Sequence, residues 1–165
     1  MKQMIRFVLV AAGLLATVSS ASAQGMVGQN QPPDQWVMNC NTSKGRDCTV
    51  SAMIDGGPNN LLGTFLIVSY SVAYTTLTVV VDGMAQKASM QVGYNPFIST
   101  DICTGGECSY VQGKSNQLLQ EMLKDSSRIV VQVSMQDDSM TGPLHQSLNG
   151  FAEQYQRAVR AQQGR

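Results

Sequence analysis

Four cysteines, a single histidine and two adjacent aspartates are the residues of this 165-residue chain best equipped for chemistry. The cysteines fall into two local pairs, Cys40 with Cys48 and Cys103 with Cys108. Four cysteines allow three connectivities, and spacing alone leaves the other two open; local pairing is the favoured reading. A zinc site fits poorly, because the spacings are not C-x-x-C and His145 is the only histidine. A thioredoxin-like redox site fails for the same spacing reason. The expectation is two structural disulfides, each closing a short loop worth about 2–3 kcal/mol. His145, beside Pro143, is the one group a Ser-His-acid hydrolase could use, and no G-x-S-x-G surrounds any serine. Asp137 and Asp138 are neighbours on a turn and point apart, whereas glycosidase carboxyls face one bond across a cleft. The Gly105-Gly106 pair is too short to cradle a phosphate. No EF-hand pattern is present. Asn41-Thr42-Ser43 matches a glycosylation acceptor, a signal that carries little weight. The ten methionines are scattered, as at Met38, Met53, Met90, Met122 and Met135, without a histidine cluster, and read as core filler. Trp36 likewise reads as core. No catalytic, cofactor or metal site is expected, and the chain reads as a non-enzyme.

The first residues say where these groups work. Lys2 and Arg6 form a positive n-region, Phe7 to Val18 an apolar core too short to span a bilayer, and Ala21 and Ala23 an A-x-A cleavage signal before Gln24. Residues 1–23 are therefore expected to be a secretory signal peptide, cleaved between Ala23 and Gln24. No cysteine sits at that cleavage point, which argues against a lipid anchor, and no other segment is long and apolar enough to span. Export to the periplasm or beyond places the cysteines where disulfides persist. Without Lys2 and Arg6 the remainder is slightly acidic and has no basic run, so nucleic acid and anionic membrane surfaces are poor partners.

The elements that must position these residues are mostly strands. Residues 24–35 are rich in Gly, Gln, Asn and Pro and read as a flexible leader. Trp36–Cys40 and Cys48–Ile54 alternate with period two, which predicts a hairpin closed by the first cysteine pair. Asp55–Asn60 is a loop. Phe65–Tyr74 and Thr75–Asp82 read as two central strands, with Thr75-Thr76 marking the turn, and Asp82-Gly83 as a second turn. Ala88–Val92 is a short strand, Pro96-Phe97-Ile98 leads into the second cysteine pair, and Ser109–Val111 is a further strand. Leu118, Leu119, Met122 and Leu123 fall at helical spacing within Ser115–Lys124, with Ser115 or Asn116 as cap. Ile129–Met135 alternates as a strand, Asp137–Ser139 is a loop, and Leu144–Leu148 leads to a final helix. There Leu148, Phe151, Tyr155 and Ala158 or Val159 share one face, with Asn149 as a possible cap. Residues 162–165 read as a frayed tail. One mainly β domain over 36–161, an antiparallel sandwich with a crossover helix and a C-terminal helix, is the predicted architecture.

The opening Trp36-Val37-Met38-Asn39-Cys40, then Cys48, the apolar strand pair, Cys103-x-x-x-x-Cys108, Leu118-Leu119 with Leu123-Lys124, and the closing Ser147-Leu148-Asn149-Gly150-Phe151 together resemble the invasion-associated locus B family of bacterial exported proteins. The resemblance runs through nearly the whole exported part. It departs at Ala73-Tyr74-Thr75-Thr76-Leu77, which lacks the family's Pro-Leu-Gly turn, and at Glu107. It implies an immunoglobulin-like β-sandwich in the envelope or outside the cell, linked to host-cell invasion, with no known chemistry. An unknown envelope or host protein would be its partner. The alternative is a small-ligand or glycan-binding module of the periplasm; a glycan reader would expose several aromatics on one face, and this chain has only Trp36 and a few Tyr, of which Tyr94 and Tyr110 flank the second cysteine loop.

Overall fold

The computed structural model describes residues 35–41, 47–55, 65–124 and 127–164. The expected signal peptide, its expected Ala23–Gln24 cleavage site and all but the last residue of the expected leader lie outside them. The described chain is mainly β, with two antiparallel sheets that share one core and two helices.

The first sheet begins as a meander. Strands β1 (Val37–Asn41), β2 (Asp47–Asp55), β3 (Phe65–Ser71) and β4 (Thr76–Val81) pair in sequence order. Alternation sets their faces: Val50, Ala52 and Ile54 point inward beside Leu66, Val68, Leu77 and Val79, all fully buried. The chain then crosses to the second sheet through residues 82–84 and enters β5 (Ala85–Val92). It continues through β6 (Ile98–Ser99) and returns to the first sheet as the hairpin β7 (Ile102–Thr104) and β8 (Glu107–Tyr110), with β8 paired to β4. Helix α1 (Gln112–Lys124) turns Leu118, Leu119 and Met122 inward. Strands β9 (Arg128–Met135) and β10 (Met140–Ser147) complete a second sheet of order β10-β9-β5-β6. Its Ile129, Val131, Val133, Met90 and Val92 face the first sheet's core.

Helix α2 (Phe151–Gln162) closes the structure. Phe151 lies edge-on to Trp36 at 4.7 Å and stacks on Tyr155 at 6.2 Å, and Tyr155 meets Tyr70 edge-on at 5.8 Å. Four rings thus tie the helix to the first sheet. The Trp36 indole N–H donates to the Ser147 carbonyl at 2.7 Å, joining the start of one sheet's edge to the end of the other's.

Several expectations shift. The strand beginning at Phe65 ends at Ser71, because residues 72–75 make a turn with Thr75 at φ 50°. Two hydroxyls hold that turn: Thr75 and Thr76 each donate to the Tyr74 carbonyl. Residues 144–147, expected only as an approach to the last helix, belong to β10. Helix α1 starts at Gln112 rather than Ser115, and Ser115 is buried in its first turn instead of capping it. The α2 cap position is Gly150 at φ 82°, not Asn149. Gln162 is no frayed residue: it ends α2, and its side-chain carbonyl accepts the Cys48 N–H at 2.8 Å.

Candidate functional site

Both cysteine pairs form the expected disulfides, and no free cysteine remains among the described residues. The reason is register. Cys40 stands directly opposite Cys48, and Cys103 opposite Cys108, each with Cα atoms 4.0 Å apart. Each bond staples two neighbouring strands of one sheet. Disulfides of this kind fit an oxidising compartment. No helix among the described residues is long and apolar enough to cross a membrane.

The second disulfide anchors a hairpin whose tip is clamped. Gly105 and Gly106 turn the chain, and their carbonyls accept the N–H groups of Ala85 and Val81, both at 2.8 Å. A β-carbon on Gly106 would sit 2.2 Å from the Val81 carbonyl oxygen, so only glycine lets the tip dock on the crossover between the sheets. Gly106 serves the close backbone approach, and Gly105 supplies the turn's left-handed φ of 61°.

Residues 93–102, which lead into the hairpin and include its first residue, expose three large apolar side chains: Tyr94 at 96%, Phe97 at 42% and Ile102 at 60%. The segment is held firmly. The Gly93 N–H donates to the Arg128 carbonyl at 2.9 Å, the Asn95 N–H to the Val92 carbonyl at 3.0 Å, and the Gln91 amide to the Asn95 carbonyl at 2.7 Å. Further along, the Ser89 and Ser99 hydroxyls meet at 3.0 Å, and Thr100 bonds Ala88 through both its backbone N–H and its hydroxyl. Lys114 of α1 reaches across to donate to the Ser99 carbonyl at 3.1 Å and to pair with Asp101 at 2.7 Å.

Asp101 has a second task. It accepts the Val111 N–H at 3.1 Å just before α1 begins, where a carboxylate complements the positive end of the helix. The Lys114 hydrogen bond, followed by that of Val111, holds its pKa below the ordinary carboxylate range. Below this junction Tyr110 is fully buried, so of the two tyrosines expected to flank the hairpin, only Tyr94 is displayed. Burial, then the nearby charge of Asp101, pushes the Tyr110 pKa up, and its hydroxyl has no partner.

The other candidates are dispersed. His145 is exposed on the outer face of the second sheet, opposite Val130. Asp137 accepts from the Ser139 N–H and hydroxyl, which lowers its pKa, while Asp138 sits at φ 63° in the same turn. These are turn-forming roles. Among the described residues no three His, Cys, Asp or Glu side chains gather as a metal site. A shallow depression lined by Ile102, Thr104, Glu107 and Ser109 lies on the outer face of the β7–β8 hairpin.

Sequence reasoning missed the Asp101–Lys114 brace, because its partners lie on separate elements. The Gly93-Tyr94-Asn95-Pro96 run was a readable turn signal, but nothing local told that Tyr94 would be displayed and Tyr110 buried. Comparison with family models, with curated proteins and with solved structures returns no match for this chain.

Proposed function

We propose that this is an exported interaction protein of the bacterial envelope or the cell exterior, acting by binding rather than by catalysis. The observation that carries the reading is the Tyr94 loop: an aromatic side chain 96% exposed on a backbone fixed by three hydrogen bonds. An exposed aromatic ring on an ordered loop loses little entropy on binding, and Tyr is enriched among the residues that dominate interface energies. Phe97 and Ile102 extend the apolar surface along the same segment. Export agrees with the two disulfides and with the signal-peptide pattern of the first 23 residues. The resemblance to invasion-associated locus B proteins makes an envelope or host protein the partner, and host-cell entry the process served.

A second reading, a small-ligand or glycan-binding module of the periplasm, is favoured by the depression beside Glu107. Its lining mixes an aliphatic side chain with two hydroxyls and a carboxylate but holds no aromatic ring.

Complementation of a deletion strain, scored for envelope integrity or host-cell entry, tests the choice. On the interaction reading, Tyr94→Ala with Phe97→Ser abolishes complementation, while His145→Ala and Asp137→Asn with Asp138→Asn preserve it. Loss of activity in a folded His145→Ala protein would refute the binding role. Loss only on Glu107→Gln would favour the depression.

A further inference from the structure

Methionines concentrate at the end of the sandwich opposite the Tyr94 loop. Met84 lies in the crossover between β4 and β5, and Met135 and Met140 bracket the β9–β10 turn. The two loops are bonded together where the Gln136 N–H donates to the Met84 carbonyl at 2.9 Å, and the β9–β10 turn is itself closed by the Met135 N–H donating to the Ser139 carbonyl at 2.9 Å. The Met135 methyl covers Gly83, so closely that a β-carbon there would lie 2.7 Å from it. Met135 is half-buried against the core, whereas Met84 and Met140 are 54% and 58% exposed. Met90 and Met122 are buried.

We infer that this end is an oxidation-sensitive latch, with Met135 as the latch and Met84 and Met140 as guards that meet the oxidant first. The chemistry is oxygen transfer from a peroxide. The peroxide O–O bond breaks, one oxygen bonds to the thioether sulfur, the second leaves as water, and the sulfur is oxidised to the sulfoxide. At Met84 and Met140 the new oxygen points into solvent and costs the fold nothing. At Met135 it puts a polar S=O beside the methyl that packs on Gly83, and the crossover separates from the β9–β10 turn. Methionine sulfoxide is reversible by enzymatic reduction, so the latch can be reset. An exported protein meets peroxide without the cytoplasm's reducing pool, which gives such a device a use.

The test is a hydrogen peroxide titration of the full folded chain, read by peptide mass spectrometry and thermal melting. Met84 and Met140 are expected to convert first, with the melting temperature unchanged. Met135 sulfoxide then forms, and the melting temperature falls by several degrees in step with it; sulfoxide reductase restores it. Met135→Leu holds its melting temperature through the same titration. Replacing Met84 and Met140 together by Leu brings Met135 oxidation forward. Met135 sulfoxide without a change in melting temperature would overturn the latch. A Met135 oxidation rate indifferent to the Met84 and Met140 replacements would overturn the guards.

Discussion

Truncating Phe151 to Ala tests how the last helix is held. The ring is fully buried, edge-on to Trp36 at 4.7 Å and stacked on Tyr155 at 6.2 Å. Removing a buried Phe costs about 3–5 kcal/mol through lost transfer energy and the cavity left behind. Aromatic pairs add roughly 0.5–1.5 kcal/mol each beyond area, and this ring makes two, so the upper half of the range applies. Against a typical domain stability of about 5–15 kcal/mol, that loss is about a quarter or more of the total. Urea melts followed by far-ultraviolet circular dichroism give the global value. Trp36 is the sole tryptophan and touches the truncated ring, so its fluorescence reports the helix contact directly. A weakened native-state contact appears as a red-shifted Trp36 emission before the main transition. A loss below about 1 kcal/mol with unchanged emission would refute the packing argument.

Three further outcomes follow from the same physics. Replacing either cysteine pair by Ser should cost about 2–3 kcal/mol, and non-reducing peptide mapping should recover Cys40 with Cys48 and Cys103 with Cys108. The protein should lose stability in alkali: burial, then the neighbouring Tyr155, raises the Tyr70 pKa from 10.0 to about 12, and burial also raises those of Tyr110 and Tyr155. The unfolded chain gives up these protons first, so the stability is complete below pH 10 and is lost as pH climbs through about 12, which melts across that window would show. Gln146→Leu should stabilise by about 1 kcal/mol in urea melts: its side-chain carbonyl is buried with no partner, and escaping that penalty of about 1–3 kcal/mol outweighs losing the Nε2 bond to the Ser147 carbonyl, worth about 0.5–1.5 kcal/mol.

The strands with clean alternation were legible: Val50, Ala52 and Ile54 in β2 and Ile129, Val131 and Val133 in β9 mark their faces without help from the rest of the fold. Strand β10 was not. Its inward positions include Thr141 and Gln146, and Gly142-Pro143 interrupts it where the pairing shifts register between Thr141 and Leu144. A pattern of apolar alternation cannot register a strand whose buried residues are polar and whose middle is bulged. The start of α1 escaped for a different reason: the carboxylate that serves it is Asp101, ten residues before Val111 and across a hairpin, where a local capping rule does not look. Gln162 seemed terminal and free because its partner, the Cys48 N–H, lies 114 residues away. Short spacing favoured the observed disulfides without excluding other pairings, and the candidate interface was readable only in part, since nothing local separates Tyr94, which is displayed, from Tyr110, which is buried.

The central claim is that the Tyr94 loop contacts a partner, and site-specific crosslinking measures it most directly. A photoreactive phenylalanine analogue replaces Tyr94 in one strain and His145, on the outer face of the second sheet, in another. Illumination of intact cells, alone and in contact with host cells, should yield a discrete adduct from position 94 that disappears on Phe97→Ser, and none from position 145. Equal adducts from both positions, or an adduct from 145 alone, would contradict the account.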